Sequence, residues 1–347
     1  MNKKLRILHC PVNVAGLSWN ISKAERKLGY DSDCVIFENS LIDYSDSHSL
    51  NLDKKNFIAR FVIIFLFFLK AIRKYDVFHF YYARTILPFS LDLPILKILG
   101  KKLFFTFQGS DIRRRYYFKK HFKIDIYKNC KTIKHSRIFD FFRFLRLKYI
   151  LFFANKTFIL NPDLKLISPS SEMIPYGSVD LEKWNFVSNH QKKDKIVILH
   201  APSNRGIKGT KYVTEAILKL KENGYPVELK IIENTENNKL REFCKEADIV
   251  IDQILIGWYG GFAVEAMALE KPVVSYLNED LFPFVYFADD IPIINANPNN
   301  LYDKLKHLIE NLDQREILGK KGRKFVELHH NPLIIAKKLI GEYYIKN

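Results

Sequence analysis

The chain alternates short apolar segments with helical ones, and this alternation occurs twice. In the first series, Arg6–Leu8 and Ser32–Phe37 have the composition of strands, and the helical segment between them ends at Gly29. The series restarts after a connector, Ile174–Trp184, which contains proline and glycine. Strands that alternate with helices build parallel sheets covered on both faces, so the sequence predicts an α/β protein with two such domains.

The length of the chain supports the same division, because 347 residues exceed what a single core usually organises. We expect a first domain over residues 1–172, a connector over 173–188 and a second domain over 189–325. A C-terminal helix over 326–347 is expected to pack back on the first domain. Within the first domain, the apolar segment Phe57–Lys74 predicts a largely buried helix.

The charge is distributed unevenly along the chain, whose net charge is +17. Residues 1–172 contain 31 Lys and Arg against 14 Asp and Glu, whereas 173–347 contain 24 of each. The stretch 113–148 holds 13 basic and 2 acidic residues, interleaved with aromatic ones. This field predicts an anionic partner, either acidic membrane lipid or nucleic acid, while a solvated charged face is the structural alternative. The candidate contacts are Arg113, Arg114, Arg115, Lys119 and Lys120.

Cysteine spacing and hydropathy indicate the compartment. The four cysteines include no close pair, which is typical of reduced thiols in the cytosol. The longest uncharged apolar run, Phe61–Leu69, has nine residues, whereas a membrane-spanning helix needs about 20. No signal peptide is recognisable at the start. We therefore expect a cytoplasmic protein that binds peripherally to the inner face of a membrane.

The segment Ala247–Leu277 contains the strongest indication of a binding site. A predicted strand ends in a glycine-bearing loop, and a helix begins directly after Gly260 and Gly261. The backbone N–H groups of such a helix start can bind an anion. Glu265 lies one turn inside the helix, where its carboxylate can accept hydrogen bonds from two ribose hydroxyls. A solvated glutamate that interacts with the helix dipole is the alternative.

This segment resembles the donor-binding motif of retaining GT-B glycosyltransferases that use nucleotide sugars, the group 1 or family 4-like enzymes. The matching residues are Gly260, Glu265 to Ala268 and Lys271 to Val274, while Gly257 replaces the first glutamate of the motif. The resemblance implies two Rossmann-like domains that face each other across a cleft. It also assigns Tyr259, Gly260, Gly261, Phe262 and Glu265 to donor binding.

Three further stretches follow the same order as in the family. In His200–Thr210, Arg205 and Lys208 match the cations that meet the donor diphosphate, and ordinary loop charge is the alternative. Gly16 matches a glycine loop of the first domain. The stretch Thr106–Arg113 matches a loop near the reacting sugar, where Gln108 replaces a histidine that many relatives have. Asp111 is a polar candidate there, with a helix N-cap as its alternative role.

The resemblance implies a metal-independent hexosyltransferase-type glycosyltransferase that works with retention, and together with the charge distribution it implies a role in surface polysaccharide synthesis. Its donor is a nucleotide diphosphate sugar, and its acceptor is a lipid-linked saccharide at an anionic membrane. Arg205, Lys208, Asp111 and Gln108 are the candidate catalytic residues. No cofactor, metal or nucleic-acid partner is expected. A sugar-nucleotide epimerase of the same architecture, a basic nucleic-acid-binding protein and an inactive transferase are the alternatives.

Overall fold

The computed structural model describes residues 4–38, 48–122, 124, 137–185 and 194–345, and these form two compact units. Among the described residues, the first unit contains 4–114, 137–178 and 332–345, and the second contains the rest. The strands are β1 (Arg6–Cys10), β2 (Asp31–Ile36), β3 (His48–Ser49), β4 (Val77–Tyr81), β5 (Lys102–Phe107), β6 (Lys156–Ile159), β7 (Glu172–Met173), β8 (Ile196–His200), β9 (Val227–Ile231), β10 (Ile249–Ile251), β11 (Val273–Ser275) and β12 (Ile294–Asn295).

Helices follow most of the strands along the chain. They are α1 (Leu17–Lys27), α2 (Phe57–Lys74), α3 (Asp92–Ile98), α4 (Arg115–His121), α5 (Arg137–Phe153), α6 (Arg205–Lys208), α7 (Thr210–Glu222), α8 (Asn237–Glu246), α9 (Gly261–Ala268), α10 (Leu301–Glu310), α11 (Leu312–His329) and α12 (Pro332–Tyr344).

Each unit contains one parallel sheet, as the alternating sequence predicts. The strand order is β3-β2-β1-β4-β5-β6-β7 in the first unit and β12-β11-β10-β8-β9 in the second. In the first sheet, Leu8 of β1 lies opposite Asp33 of β2 and Phe78 of β4. In the second, Ile251 of β10 lies opposite His200 of β8. The loops that follow neighbouring strands therefore meet at one edge of each sheet, where ligands bind in open α/β folds.

The division of the chain differs from the predicted one at α4. The sequence places residues up to 172 in a single domain, but α4 groups with the second unit. Phe118 of α4 is buried in the second unit's core, in the same cluster as Ile254 and Leu301. Because the residues around Phe118 are basic, the sequence gives no indication that its side chain is buried in the second unit. The middle of the predicted basic stretch, residues 125–136, lies outside the described residues.

Helix α12 belongs to the first unit, although it follows the second unit in the chain. Ile335, Leu339 and Tyr343 of α12 are buried in the same core cluster as Ile21 of α1. A Cβ added at Gly177 would lie 2.7 Å from Ile21 Cδ1 and 3.2 Å from Ile335 Cδ1. Glycine at this position therefore permits close packing of the backbone against both helices.

A buried polar network connects α12 to the first sheet. Tyr343 Oη lies 2.6 Å from His79 Nδ1, and Thr106 Oγ1 lies 2.7 Å from His79 Nε2. The His79 ring stacks on that of His9, which contacts Glu25 Oε2 at 2.8 Å. Burial and the charge of His9 hold the pKa of His79 well below its usual range. The network thus gives both ring nitrogens of His79 a polar partner inside an otherwise apolar core.

Helix α2 contradicts the sequence-based expectation of a buried helix. Of its side chains, only Phe68 and Ala71 are buried. One face of α2 presents Phe57, Ile58, Phe61, Val62, Phe65 and Leu66 to the exterior. Their spacing follows the helical repeat, so the exposure forms a continuous apolar stripe. Within the described ranges, no helix is long and apolar enough to cross a membrane.

Candidate functional site

The candidate site of the second unit lies where β8 and β10 end side by side. The loop after β8 leads into α6, which contains Arg205 and Lys208. Asn204 begins this short helix, since its side chain accepts a hydrogen bond from the Ile207 N–H at 3.1 Å. Gly209 ends it with a φ of 81°, a left-handed conformation that favours glycine. These local features fix Lys208 at the carboxyl edge of the sheet.

Lys208 is held by two residues that directly follow β10. Its ammonium group donates to Asp252 Oδ1 at 3.0 Å and to Gln253 Oε1. Asp252 is 2% exposed and also accepts a hydrogen bond from the Gly260 N–H at 2.6 Å. The buried carboxylate therefore joins the lysine to the glycine-bearing loop. Sequence reasoning missed Asp252 and Gln253, although their place at the end of a central parallel strand is a usual signal of a site.

The loop before α9 differs from the predicted anion site in one respect. The Gly260 N–H donates to Asp252, so this donor is already used by the protein itself. A Cβ at Gly260 would lie 3.2 Å from Asp252 Oδ2 and 3.3 Å from Lys208 Nζ. Gly260 is therefore required for close approach of the loop to the ion pair. Gly261 and Phe262, which begin α9, are partly exposed.

Tyr259, which the resemblance assigns to donor binding, has its side chain in the core. Its side chain is fully buried, and its hydroxyl lies 3.0 Å from His330 Nε2. The ring stacks on Trp258, which is also fully buried. The side chain of Tyr259 is thus part of the core of the second unit.

Glu265 lies in α9 and is 7% exposed. Its Oε1 accepts a hydrogen bond from Asn237 Nδ2, at the start of α8, at 2.9 Å. Burial raises the pKa of Glu265 to about 7, the Asn237 hydrogen bond opposes this shift, and the negative charge of Asp252 adds to it. The site therefore contains a carboxyl group that titrates near neutral pH. Sequence reasoning did not identify Asn237.

Gly257, which replaces the first glutamate of the motif, lies at a backbone position that favours glycine. Its φ is 79°, a conformation that side chains rarely adopt. A Cβ at this position would lie 3.0 Å from Asn278 Cβ. A glutamate here would therefore require the loop to change its course.

Arg205 and Lys208 are not paired with the same carboxylate. Arg205 is exposed, and its guanidinium donates to Glu233 Oε2 through Nε at 2.9 Å and Nη2 at 2.5 Å. Glu233 follows β9, whereas Lys208 is bound to the residues after β10. Both cations belong to α6 at the carboxyl edge of the sheet, but each one pairs with a different carboxylate.

In the first unit, Asp111 and Gln108 lie together in the loop after β5. The carboxylate of Asp111 accepts hydrogen bonds from the Gln108 and Gly109 N–H groups at 3.1 Å and 2.7 Å. Desolvation raises the pKa of Asp111, and these hydrogen bonds oppose the shift. Asp111 thus shapes this loop. Gly16 has a φ of 75° at the start of α1, where glycine allows the turn into the helix.

The predicted surface cations have different environments. Arg113 is buried and forms a two-pronged ion pair with Asp163, at 2.7 Å and 2.9 Å, which removes it from any surface contact. Arg114 lies over the Phe144 ring. Arg115 begins α4 in the second unit, and Lys119 and Lys120 are exposed on the same helix. The five residues therefore do not form one cationic face of the first unit.

Comparisons with known proteins relate this arrangement to solved structures. The chain matches no protein-family model and no curated protein. The catalytic domain of starch synthase IV from Arabidopsis thaliana, bound to ADP and acarbose, superposes with a TM-score of 0.63 at 11% identity, covering 98% of this chain and 99% of that one. WaaG, a glycosyltransferase of lipopolysaccharide biosynthesis, gives 0.57 at 12% identity, covering 96% and 100%.

This chain has the GT-B fold. A putative UDP-N-acetylglucosamine 2-epimerase from Listeria monocytogenes is also similar, with a TM-score of 0.58 at 14% identity, covering 97% of this chain and 95% of that one. The GT-B fold thus occurs in transferases and in an epimerase. At these identities the likeness establishes the fold alone.

Proposed function

We propose that the protein is a glycosyltransferase that takes a sugar from a nucleotide diphosphate sugar bound by the second unit. The observation that carries this proposal is the Lys208–Asp252 ion pair beside the start of α9, with Glu265 on the same helix. A fixed cation and a buried carboxyl group at the carboxyl edge of a parallel sheet suit a phosphate and a ribose, respectively.

The residues act on the donor in different ways. Lys208 and the more exposed Arg205 neutralise the diphosphate as it departs, without a metal ion, because negative charge grows on the leaving group in the transition state. Glu265 accepts hydrogen bonds from the ribose hydroxyls and fixes the nucleotide. Asp252 is a positioning residue, since it holds Lys208 in place. Catalysis then depends on orientation and on stabilisation of the leaving phosphate.

The acceptor belongs to the first unit in this proposal. We propose transfer of a hexosyl group, with retention, to a lipid-linked saccharide in surface polysaccharide synthesis, near the Gln108 and Asp111 loop. A role for WaaG in lipopolysaccharide biosynthesis supports this acceptor class by analogy of fold. The exposed apolar face of α2 supports a peripheral location on the inner face of the membrane.

An epimerase is the second candidate, because one structural neighbour has that name and Glu265 titrates near neutrality. An enzyme that only converts one soluble nucleotide sugar into another has no use for an exposed apolar face. Incubation with UDP-N-acetylglucosamine, followed by NMR, distinguishes the two. Formation of the 2-epimer without an acceptor would replace the transferase proposal.

The Glu265→Gln variant tests the donor site. Calorimetric titration with UDP, ADP and GDP should show that the variant loses about 1–3 kcal/mol of affinity for whichever nucleotide binds, because hydrogen bonds to a charged acceptor are lost. Glu222→Gln is the matched control, since Glu222 is exposed at the end of α7 in the same unit. Equal affinity of the wild-type protein and a folded Glu265→Gln variant would contradict the role of Glu265.

The pH dependence provides a second readout of the same residue. Glu265 has a raised pKa of about 7, so the carboxylate is present above that pH and is lost as the pH falls through it. Nucleotide affinity should therefore decrease below about pH 7 in the wild-type protein. Titration of the nucleotide itself affects the wild-type protein and the Glu265→Gln variant equally. The difference between their nucleotide affinities therefore reports Glu265 alone, and this difference should become smaller as the pH falls.

A further inference from the structure

The first unit contains a pocket of about 1000 Å³ that the sequence did not predict. It lies at the edge of the sheet where β1, β2 and β4 end, and α2 and α5 form its sides. Most of the lining is apolar, including Val12, Ile36, Ile64, Leu87 and Leu145. This volume is at the upper end of ordinary ligand pockets, which span about 300–1,000 Å³.

Two arginines in the wall have no counter-ion of their own. In the described part of the chain, the Arg84 guanidinium has no hydrogen-bond or ion-pair partner, and Arg146 donates to the Ala83 carbonyl. Desolvation lowers the pKa of Arg146, the positive charge of Arg84 lowers it further, and Asp111 opposes the shift. An anion between these two groups would relieve their mutual repulsion. The third arginine of the wall, Arg60, is balanced by Glu38 at 3.8 Å.

The loop after β4 forms one wall of this pocket and is held in an uncommon backbone conformation. Tyr82, Ala83, Phe89 and Ser90 all have φ between 49° and 59°. Such left-handed conformations are unfavourable for bulky residues and tend to occur at ligand-binding segments. Phe89 is also 92% exposed, so its ring extends from the rim of the pocket into the exterior.

The apolar lining continues onto an exposed face of α5. The exposed residues of this face recur at helical spacing and are Ile138, Phe142, Leu145, Tyr149 and Phe152. Phe142, Leu145 and Tyr149 also line the pocket, and α2 contributes Arg60 and Ile64 to the opposite wall. An exposed apolar surface of this kind is unusual on a protein that faces water alone. It fits the hydrocarbon of a lipid at the edge of a membrane.

We propose that this pocket binds a long-chain lipid phosphate from the membrane, with the phosphate between Arg84 and Arg146 and the hydrocarbon chain along α2 and α5. This inference rests on the proposed function, because such a lipid phosphate would be the carrier portion of the acceptor. A free sugar phosphate satisfies the arginines but leaves the apolar walls uncovered. A neutral lipid covers the apolar walls but provides no anion for the arginines. The combination of positive charge and apolar lining therefore favours an anionic amphiphile.

Farnesyl phosphate is a soluble probe of this site, with farnesol and inorganic phosphate as its two halves. Calorimetry on the full-length wild-type protein should show that farnesyl phosphate binds at least tenfold more tightly than either half. The double variant Arg84→Gln/Arg146→Gln should bind farnesyl phosphate at least tenfold more weakly than wild type, with farnesol affinity unchanged. Arg73→Gln is the matched control, because Arg73 is exposed on α2 outside the pocket.

Two additional variants keep the test decisive. Arg84→Gln alone should produce part of the loss if the double variant fails to fold. Leu145→Gln should weaken farnesyl phosphate and farnesol alike. Unchanged binding of farnesyl phosphate to the folded arginine variants, or equal affinity for farnesol, would overturn the proposal. UDP, ADP and GDP titrations on the same samples separate the two proposals, since a failed donor site abolishes nucleotide binding and leaves the lipid result intact.

Discussion

Replacing Lys208 with methionine should reduce turnover about 10²- to 10³-fold, the effect typical of removing one group that stabilises charge in a transition state. The Michaelis constant should change less, because the positive charge is needed most when the diphosphate departs. Steady-state kinetics with the nucleotide sugar that the protein binds would measure both quantities. Lys211→Met is the matched control, because Lys211 is exposed at the start of α7 and pairs with Glu215 at 3.7 Å.

The substitution has a structural effect that must be separated from the catalytic one. Lys208→Met leaves the carboxylate of Asp252 buried without its cation, and loss of one partner of a buried pair costs about 3–5 kcal/mol. The double variant Lys208→Met/Asp252→Asn removes both charges, while the asparagine oxygen can still accept the Gly260 N–H. We expect the double variant to recover most of the stability in chemical denaturation and none of the turnover. Recovery of turnover together with stability would show that Lys208 has a structural role alone.

Replacing Phe61 and Phe65 with serine should release the protein from membranes. Both rings are about half exposed on the apolar face of α2, and they stack on each other with centroids 6.5 Å apart. Full burial of one such side chain is worth about 1.5–3 kcal/mol, so two half-exposed rings should contribute at least a tenfold change in affinity. Co-sedimentation with phosphatidylcholine vesicles that contain phosphatidylglycerol measures the partition coefficient.

Two features make this experiment informative. The double variant Leu218→Ser/Ile317→Ser removes equally exposed apolar side chains from the second unit and should bind vesicles like wild type. Charge reversal of Lys119 and Lys120 tests the electrostatic mechanism that the sequence suggested. If that reversal releases the protein while Phe61→Ser/Phe65→Ser does not, the basic segment is the membrane contact and the α2 face is not.

The sequence predicted an α/β protein with two parallel sheets because strands between helices leave a strong apolar pattern. It also predicted donor-binding roles for Lys208 and Glu265 from a resemblance to a known motif, and these roles stay predictions. It missed Asp252, whose place at the end of a central strand signals a site, because the sequence does not indicate that Lys208 of α6 will pair with this carboxylate. The exposure of α2 was missed for a related reason. Hydropathy reports that a helix is apolar, but it does not report whether protein or lipid covers it.

The placement of α4 shows a further limit of composition. Its sequence is basic and aromatic, which suggested one continuous surface with the residues around it. Phe118 is buried in the second unit's core, and Phe122 and Ile124, which follow α4, pack against the same cluster. Burial of one phenylalanine contributes roughly as much as several solvated charges, so a local anchor can override the average character of a segment.

The central claim is that the second unit binds a nucleotide diphosphate, and thermal unfolding of the wild-type protein with a panel of nucleotides tests it most directly. The panel contains UDP, ADP and GDP with the corresponding monophosphates. One diphosphate should stabilise the protein by about 2.7 kcal/mol at a concentration 100 times its dissociation constant. At the same concentration, its monophosphate should stabilise the protein less, because Lys208 and Arg205 then have one phosphate fewer to bind. Stabilisation by no diphosphate, or equal stabilisation by a diphosphate and its monophosphate, would contradict this account.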